Sequence, residues 1–112
     1  MEDCSTKVAK LKKKVDKFVE DRDWNNSHNP KNLSMSIAIE AGELMEIFQW
    51  LTIKDSWDII ENEEFEHMKE ELADVMIYCF SLANQLDIDI TTAVFDKISK
   101  NGDRYPVEDE CD

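Results

Sequence analysis

Apolar residues recur at steps of three and four along most of this chain, and almost nothing that stops a helix interrupts them. Val8, Leu11, Val15 and Phe18 form one such stripe within residues 4–22, and Ile37, Ala41, Leu44, Phe48 and Leu51 form another within 34–51. A third, Met68, Leu72, Val75, Cys79 and Leu82, runs through 63–86 and is widened by Met76, Ala83 and Leu86. Two Gly and two Pro among 112 residues leave too few turn formers for a sheet architecture. The pattern predicts an all-α fold, with antiparallel helices in a four-helix-bundle-like arrangement. A chain of this length buries only about two thirds of its unfolded surface, so completion of the bundle by oligomerisation is expected.

The breaks in periodicity set the expected boundaries. DWNNSHNPKNL at 23–33 contains Pro30 and reads as a loop, with Ser34 or Ser36 capping the helix after it. A short helical turn is expected over 55–61, entered through Asp55 or Ser56. Asp89 is the expected N-cap of a last helix over 90–101, and Gly102 its C′ residue, with Pro106 close behind. Residues 1–112 are expected to be one domain, with an acidic frayed tail at 106–112.

Charge narrows the class of function. Twenty-six Asp and Glu against 13 Lys and Arg give a formal charge of -13. A chain this acidic has no general footprint for nucleic-acid phosphates or anionic lipid, so neither a nucleic-acid polymer nor a membrane is an expected partner. No apolar run of about 18 residues is present, and MEDCSTKVAK lacks the apolar stretch of a secretory signal. Cys4, Cys79 and Cys111 form no CxxC pair and no disulfide framework, which fits a reducing, cytoplasmic location.

Most of the acids need no special role: Glu61, Glu63, Glu64 and Glu66 sit at a helix start, where negative charge is favoured. Two pairs inside apolar helices differ. Glu40 and Glu43, and later Glu71 and Asp74, are each three residues apart and border an apolar stripe. Antiparallel packing brings the pairs together, and the resulting repulsion is relieved if a hard divalent cation, Mg²⁺ or Mn²⁺, sits between them. Solvated acids would give the same spacing. Gly42, between Glu40 and Glu43, costs roughly 1 kcal/mol in mid-helix and suggests a close approach by another backbone or a ligand. Trp24, Trp50 and Tyr78 are aromatic planes near the acidic pairs, suited either to a nucleobase or to the core.

E-A-G-E-L at 40–44, followed across a spacer by E-E-L-A-D at 70–74, resembles the signature of the MazG-like all-α nucleotide pyrophosphohydrolases. DWNNSHNPKNL, EIFQW and K-x-x-x-N-G-D-R-Y-P at 97–106 extend the resemblance toward the branch that contains deoxycytidine triphosphate pyrophosphatases. The resemblance implies hydrolysis of a nucleoside triphosphate, such as dCTP or a modified form, to the monophosphate and pyrophosphate, for nucleotide-pool cleansing. It implies Glu40, Glu43, Glu71 and Asp74 as ligands of Mg²⁺ (Mn²⁺ as the alternative), with Glu40 or Glu43 as general base. It further implies Lys97, Asn101, Arg104 and Tyr105 on the phosphate side, and Trp24, His28, Trp50 and Tyr78 around base and sugar. The family's bundles are commonly dimers or tetramers, which agrees with the small expected core. Many relatives carry another acid before the first signature Glu, where this chain has Ile39, so the metal count stays open.

Two other classes are compatible with parts of the pattern. Glu64 and His67 form an E-x-x-H pair of the kind that carboxylate-bridged di-iron bundles use twice. An acidic helical adaptor or nucleic-acid mimic without catalysis would account for the charge, but not for the aromatic loop or the Lys97–Arg104 segment.

Overall fold

Proline at position 30 has no backbone N–H to leave unpaired and a φ already near the helical value, so it serves as the first residue of a helix rather than as a break. In the computed structural model, which describes residues 1–107, the helix does begin there. Five α-helices follow one another: α1 Val8–Asp21, α2 Pro30–Phe48, α3 Ile53–Trp57, α4 Glu64–Gln85 and α5 Ile90–Arg104, with a 3-10 turn at Asp58–Glu61. No strand occurs among the described residues, and no described helix is long and apolar enough to cross a membrane. The all-α expectation holds. Several boundaries move, and residues 108–112, including Cys111 and most of the expected acidic tail, lie outside the described region.

The moved boundaries have identifiable causes. Asn29, not Ser34 or Ser36, caps α2: its Oδ1 accepts the Asn32 N–H at 2.9 Å. Thr52, not Asp55 or Ser56, caps α3, accepting the Asp55 N–H at 3.1 Å. Asp89 caps α5 as expected, taking the Thr92 N–H at 2.9 Å, and those hydrogen bonds hold its carboxyl below the usual range. α5 continues past Gly102 to Arg104, so that glycine is not a C′ residue. The chain uses aspartate for that purpose instead. Asp23 and Asp87 adopt φ of 56° and 55°, and each closes a helix by the same pair of bonds. After α1, Asp23 N–H donates to Glu20 and Trp24 N–H to Val19, both at 3.0 Å; after α4, Asp87 N–H donates to Asn84 and Ile88 N–H to Ala83. Aspartate tolerates this left-handed geometry, which explains how a chain with two glycines ends its helices sharply.

α2 and α4 run antiparallel. His28, just before α2, reaches Ser81 near the end of α4, while Glu46 and Ile47 near the end of α2 share a cleft with Glu64 and His67 at the start of α4. α1 lies against α4, tied by the Asn84 amide donating to the Lys12 carbonyl at 2.9 Å and Lys12 Nζ donating to the Ile88 carbonyl. The fully buried apolar residues are Val19, Leu33, Ile59, Phe80 and Ala83. The stripes read from periodicity are therefore only partly internal. Leu11, Val15, Phe18, Leu72 and Met76 line an open groove of about 750 Å³ between α1 and α4 instead of closing on a core.

α5 stands apart. None of its side chains is buried, and Val94, Phe95 and Ile98 turn an apolar stripe to the outside. Trp50, Ile53, Trp57 and Ile60 add a second exposed apolar set in the α2–α4 connection. The radius of gyration, 17.5 Å, exceeds the about 13 Å of a compact 100-residue domain. The left-handed aspartates give the fold a direct test: Asp87→Gly should raise stability to urea by about 0.5–1 kcal/mol, and Asp87→Val should lower it by about 1 kcal/mol or more.

Candidate functional site

Helical spacing puts Glu40 and Glu43 one turn apart on α2, and the antiparallel seam sets Glu71 of α4 opposite them. One oxygen from each of these three carboxylates lies within 4.8 Å of the other two. Asp74 stands outside that trio, yet close enough for its charge to raise the proton affinity of Glu40. Glu40 Oε2 and Glu71 Oε2 are both inaccessible to solvent and without a hydrogen-bond partner. A buried carboxylate oxygen left unpaired is costly, which makes the pair notable.

The crowding appears in the proton affinities. Glu40 is pushed up to about 7, first by burial, then by a hydrogen bond with Glu43 and the charges of Glu43, Asp74 and Glu71. Glu71 is raised by burial and by Glu43, with His67 pulling the other way. These donors are all oxygens, and two of them are orphaned inside the cluster. That is the chemistry of a hard divalent cation such as Mg²⁺ or Mn²⁺ rather than of a thiophilic one. Among the described residues, Glu40, Glu43 and Glu71 are the acidic group whose ligand atoms converge in this way.

A second group lies further along α4. Trp24 stacks on His28 with ring centres 5.8 Å apart and planes 23° from parallel, and His28 faces Tyr78 at 6.0 Å. Phe18 meets the other side of Trp24 edge-on at 5.6 Å, with the Arg22 guanidinium 3.5 Å above the Phe18 ring centre. The turn that closes α1 aims Trp24 here, and the carbonyl of Trp24 then accepts the Ser27 and His28 N–H groups, both at 3.0 Å. Nδ1 of His28 is 3.1 Å from Ser81 Oγ. Tyr78 follows Asp74 by four residues and Glu71 by seven, so the aromatic and acidic groups share one side of α4.

Other expected residues remain apart within the chain. Lys97, Asn101, Arg104 and Tyr105 are exposed on or just beyond α5; Arg104 lies over the Tyr105 ring, and none of the four bonds a carboxylate of the cluster. Trp50 is 88% exposed and has no aromatic partner among the described residues. The close approach expected at Gly42 is absent among the described residues: a Cβ there would meet nothing within 4 Å. Three participants have a different place here from the one the sequence suggests, or none. Ser81, the one buried polar residue among those described, sits inside an apolar run, and that isolation is its only signal. Phe18 counted as core, yet it packs on Trp24. His67 suggested a di-iron pair with Glu64, but its Nδ1 is 3.0 Å from Glu64 Oε2 and its Nε2 is 3.3 Å from Glu71 Oε1. These contacts, the Glu64 bond above all, raise its proton affinity. No second such pair stands nearby, since His28 belongs to the aromatic group.

Comparison with known proteins bears on this arrangement. A MazG-like family model matches residues 35–112. The chain is 38% identical over 94 residues to dCTP pyrophosphatase 1 of Rattus norvegicus, and 39% identical over 93 residues to that of Homo sapiens. Each match takes in 80% of this chain but 54% and 53% of the relatives, so the chain spans about half the length of the curated proteins it matches. A pyrophosphatase from Archaeoglobus fulgidus superposes with a TM-score of 0.82 at 37% identity, covering 88% of this chain and 92% of that one.

The raised affinity of Glu40 fixes the sign of a pH effect. An acid whose folded value is about 7 against an ordinary 4.5 contributes stability below the ordinary value and loses it as pH rises through the folded one. In chelator, the melting temperature should therefore fall between about pH 5 and about pH 8, and Glu40→Gln should flatten that fall. Parallel curves for the two proteins would contradict the assignment.

Proposed function

The chain belongs to the MazG-like family, and from that premise we propose that it hydrolyses a nucleoside triphosphate to the monophosphate and pyrophosphate. The observation that carries the proposal is the convergence of Glu40, Glu43 and Glu71, with two oxygens left unpaired inside it. The favoured substrate is a deoxynucleotide, dCTP or a modified form, in keeping with the named activity of the relatives. The cellular purpose would be nucleotide-pool cleansing.

Glu40, Glu43 and Glu71, joined by Asp74, would hold Mg²⁺, or Mn²⁺ in its place. When bound, the cation neutralises phosphate charge and lowers the pKa of the attacking water. The protein's own groups supply the rest. A carboxylate of the trio, Glu40 or Glu43, accepts the proton of that water as it adds to phosphorus and pyrophosphate leaves. The base lies against Trp24, His28 and Tyr78, whose π-faces suit a planar heterocycle, with Ser81 fixing the His28 ring. The like charge of these carboxylates opposes a bare triphosphate anion, so substrate and cation enter as partners.

The phosphate-side groups Lys97, Asn101, Arg104 and Tyr105 are proposed to act from a second copy of the chain, as is Trp50. Support comes from α5 itself, which buries nothing in its own chain while its Val94–Phe95–Ile98 stripe and the α1–α4 groove both stay uncovered. A homodimer or tetramer would cover both.

Two measurements test these proposals. Glu43→Gln and Asp74→Asn should each reduce turnover of dCTP by about 10²-fold or more while leaving helical circular dichroism unchanged; normal turnover in both would remove the carboxylates from the site. Sedimentation velocity should find a dimer or tetramer, and Phe95→Asp should shift it toward monomer with loss of activity. A wild-type monomer with full activity would refute the shared arrangement.

A further inference from the structure

His67 lies one turn after Glu64 and one turn before Glu71 on α4, and its ring spans the two. Nδ1 is 3.0 Å from Glu64 Oε2, and Nε2 is 3.3 Å from Glu71 Oε1. The contact is one-sided at Glu71. Oε1 lies against the ring, whereas Oε2 is buried and unpaired, and one oxygen of the same carboxylate converges with Glu40 and Glu43. The far end of the row is anchored too, because the Glu64 backbone N–H donates to Asn62 Oδ1 at 2.8 Å.

Glu71 has reason to leave this position. Its side chain rotates about several torsions, and the charges of Glu40 and Glu43 push it toward solvent. Yet it is only 15% exposed, in contrast to His67 at 52%. A cation-binding glutamate in such a place needs an outside partner for its second oxygen, as ligating carboxylates generally have. Among the described residues, His67 is the nitrogen-bearing side chain that meets Glu71 from outside the carboxylate trio, as an ion-pair contact at 3.3 Å.

We infer that His67 is a positioning residue for the cation site: it fixes Glu71 Oε1 so that the carboxylate stays turned toward Glu40 and Glu43. The inference rests on Glu71 being a cation ligand, as proposed above. It gives the Glu64–His67 pair a role quite different from iron ligation. The half-exposed ring supports no core, so its removal leaves the fold in place.

Binding of Mn²⁺ alone to the full chain, followed by electron paramagnetic resonance of the free ion, separates the possibilities. His67→Ala should weaken Mn²⁺ affinity about tenfold with unchanged helical circular dichroism. His67→Gln, whose amide N–H can donate to the same carboxylate, should recover most of that loss, whereas a purely structural role would not distinguish the two. Glu71→Gln should weaken binding at least as much as His67→Ala. Wild-type affinity in His67→Ala beside impaired Glu71→Gln would overturn the role of His67 and leave the metal site standing. Wild-type affinity in Glu71→Gln would overturn the ligand assignment and the inference with it.

Discussion

Like charges held together against their repulsion organise the informative part of this molecule. Glu40, Glu43 and Glu71 meet across the α2–α4 seam at separations where water would normally intervene, and two of their oxygens are shut away from it. Such an arrangement persists only if something else holds the helices in register. That support comes from apolar burial on the same two helices, Leu33 on α2 and Phe80 and Ala83 on α4, all clear of the acidic end. Packing at one end thus places charge at the other. The crowding shows in the proton affinities of Glu40 and Glu71, both raised by burial and by their carboxylate neighbours.

The same seam links the acidic group to the aromatic one. Residues 71, 74 and 78 fall on one side of α4, and Ser81 follows one turn later to receive the His28 ring. The loop that supplies Trp24 and His28 is fixed by its own turn chemistry, through Asp23 in a left-handed conformation and Asn29 capping α2. A side chain change at either aspartate or asparagine therefore acts on site geometry as well as on helix stability. Loop and helix together form one device.

Much of this was legible in the residues, and the exceptions share causes. Period-3.6 stripes located α1, α2 and α4, and the paired acids marked the seam. Periodicity reports which face is apolar, however, not what covers it, so Leu11, Leu72 and Met76 read as core although they line an open groove. Pro30 and Gly102 have opposite meanings in different positions: one starts α2 and the other sits inside α5. Asp23 and Asp87 were invisible as helix stops because glycine is the usual signal there. Ser81 acts through His28, 53 residues away, a contact that cannot be inferred without the antiparallel register, whereas the His67 contacts with Glu64 and Glu71 follow from helical spacing and only their role was missed. The stripe on α5 likewise reads as core, yet none of its residues is buried and Val94, Phe95 and Ile98 are exposed.

The central claim is that this carboxylate face serves cleavage of a triphosphate between its first and second phosphates. Phosphorus NMR of products, after incubation with each common NTP and dNTP in Mg²⁺ or in chelator, tests it most directly. The account predicts monophosphate and pyrophosphate in Mg²⁺, none in chelator, and the fastest turnover for dCTP or another deoxynucleotide. Diphosphate with orthophosphate, or equal turnover in chelator, would contradict it.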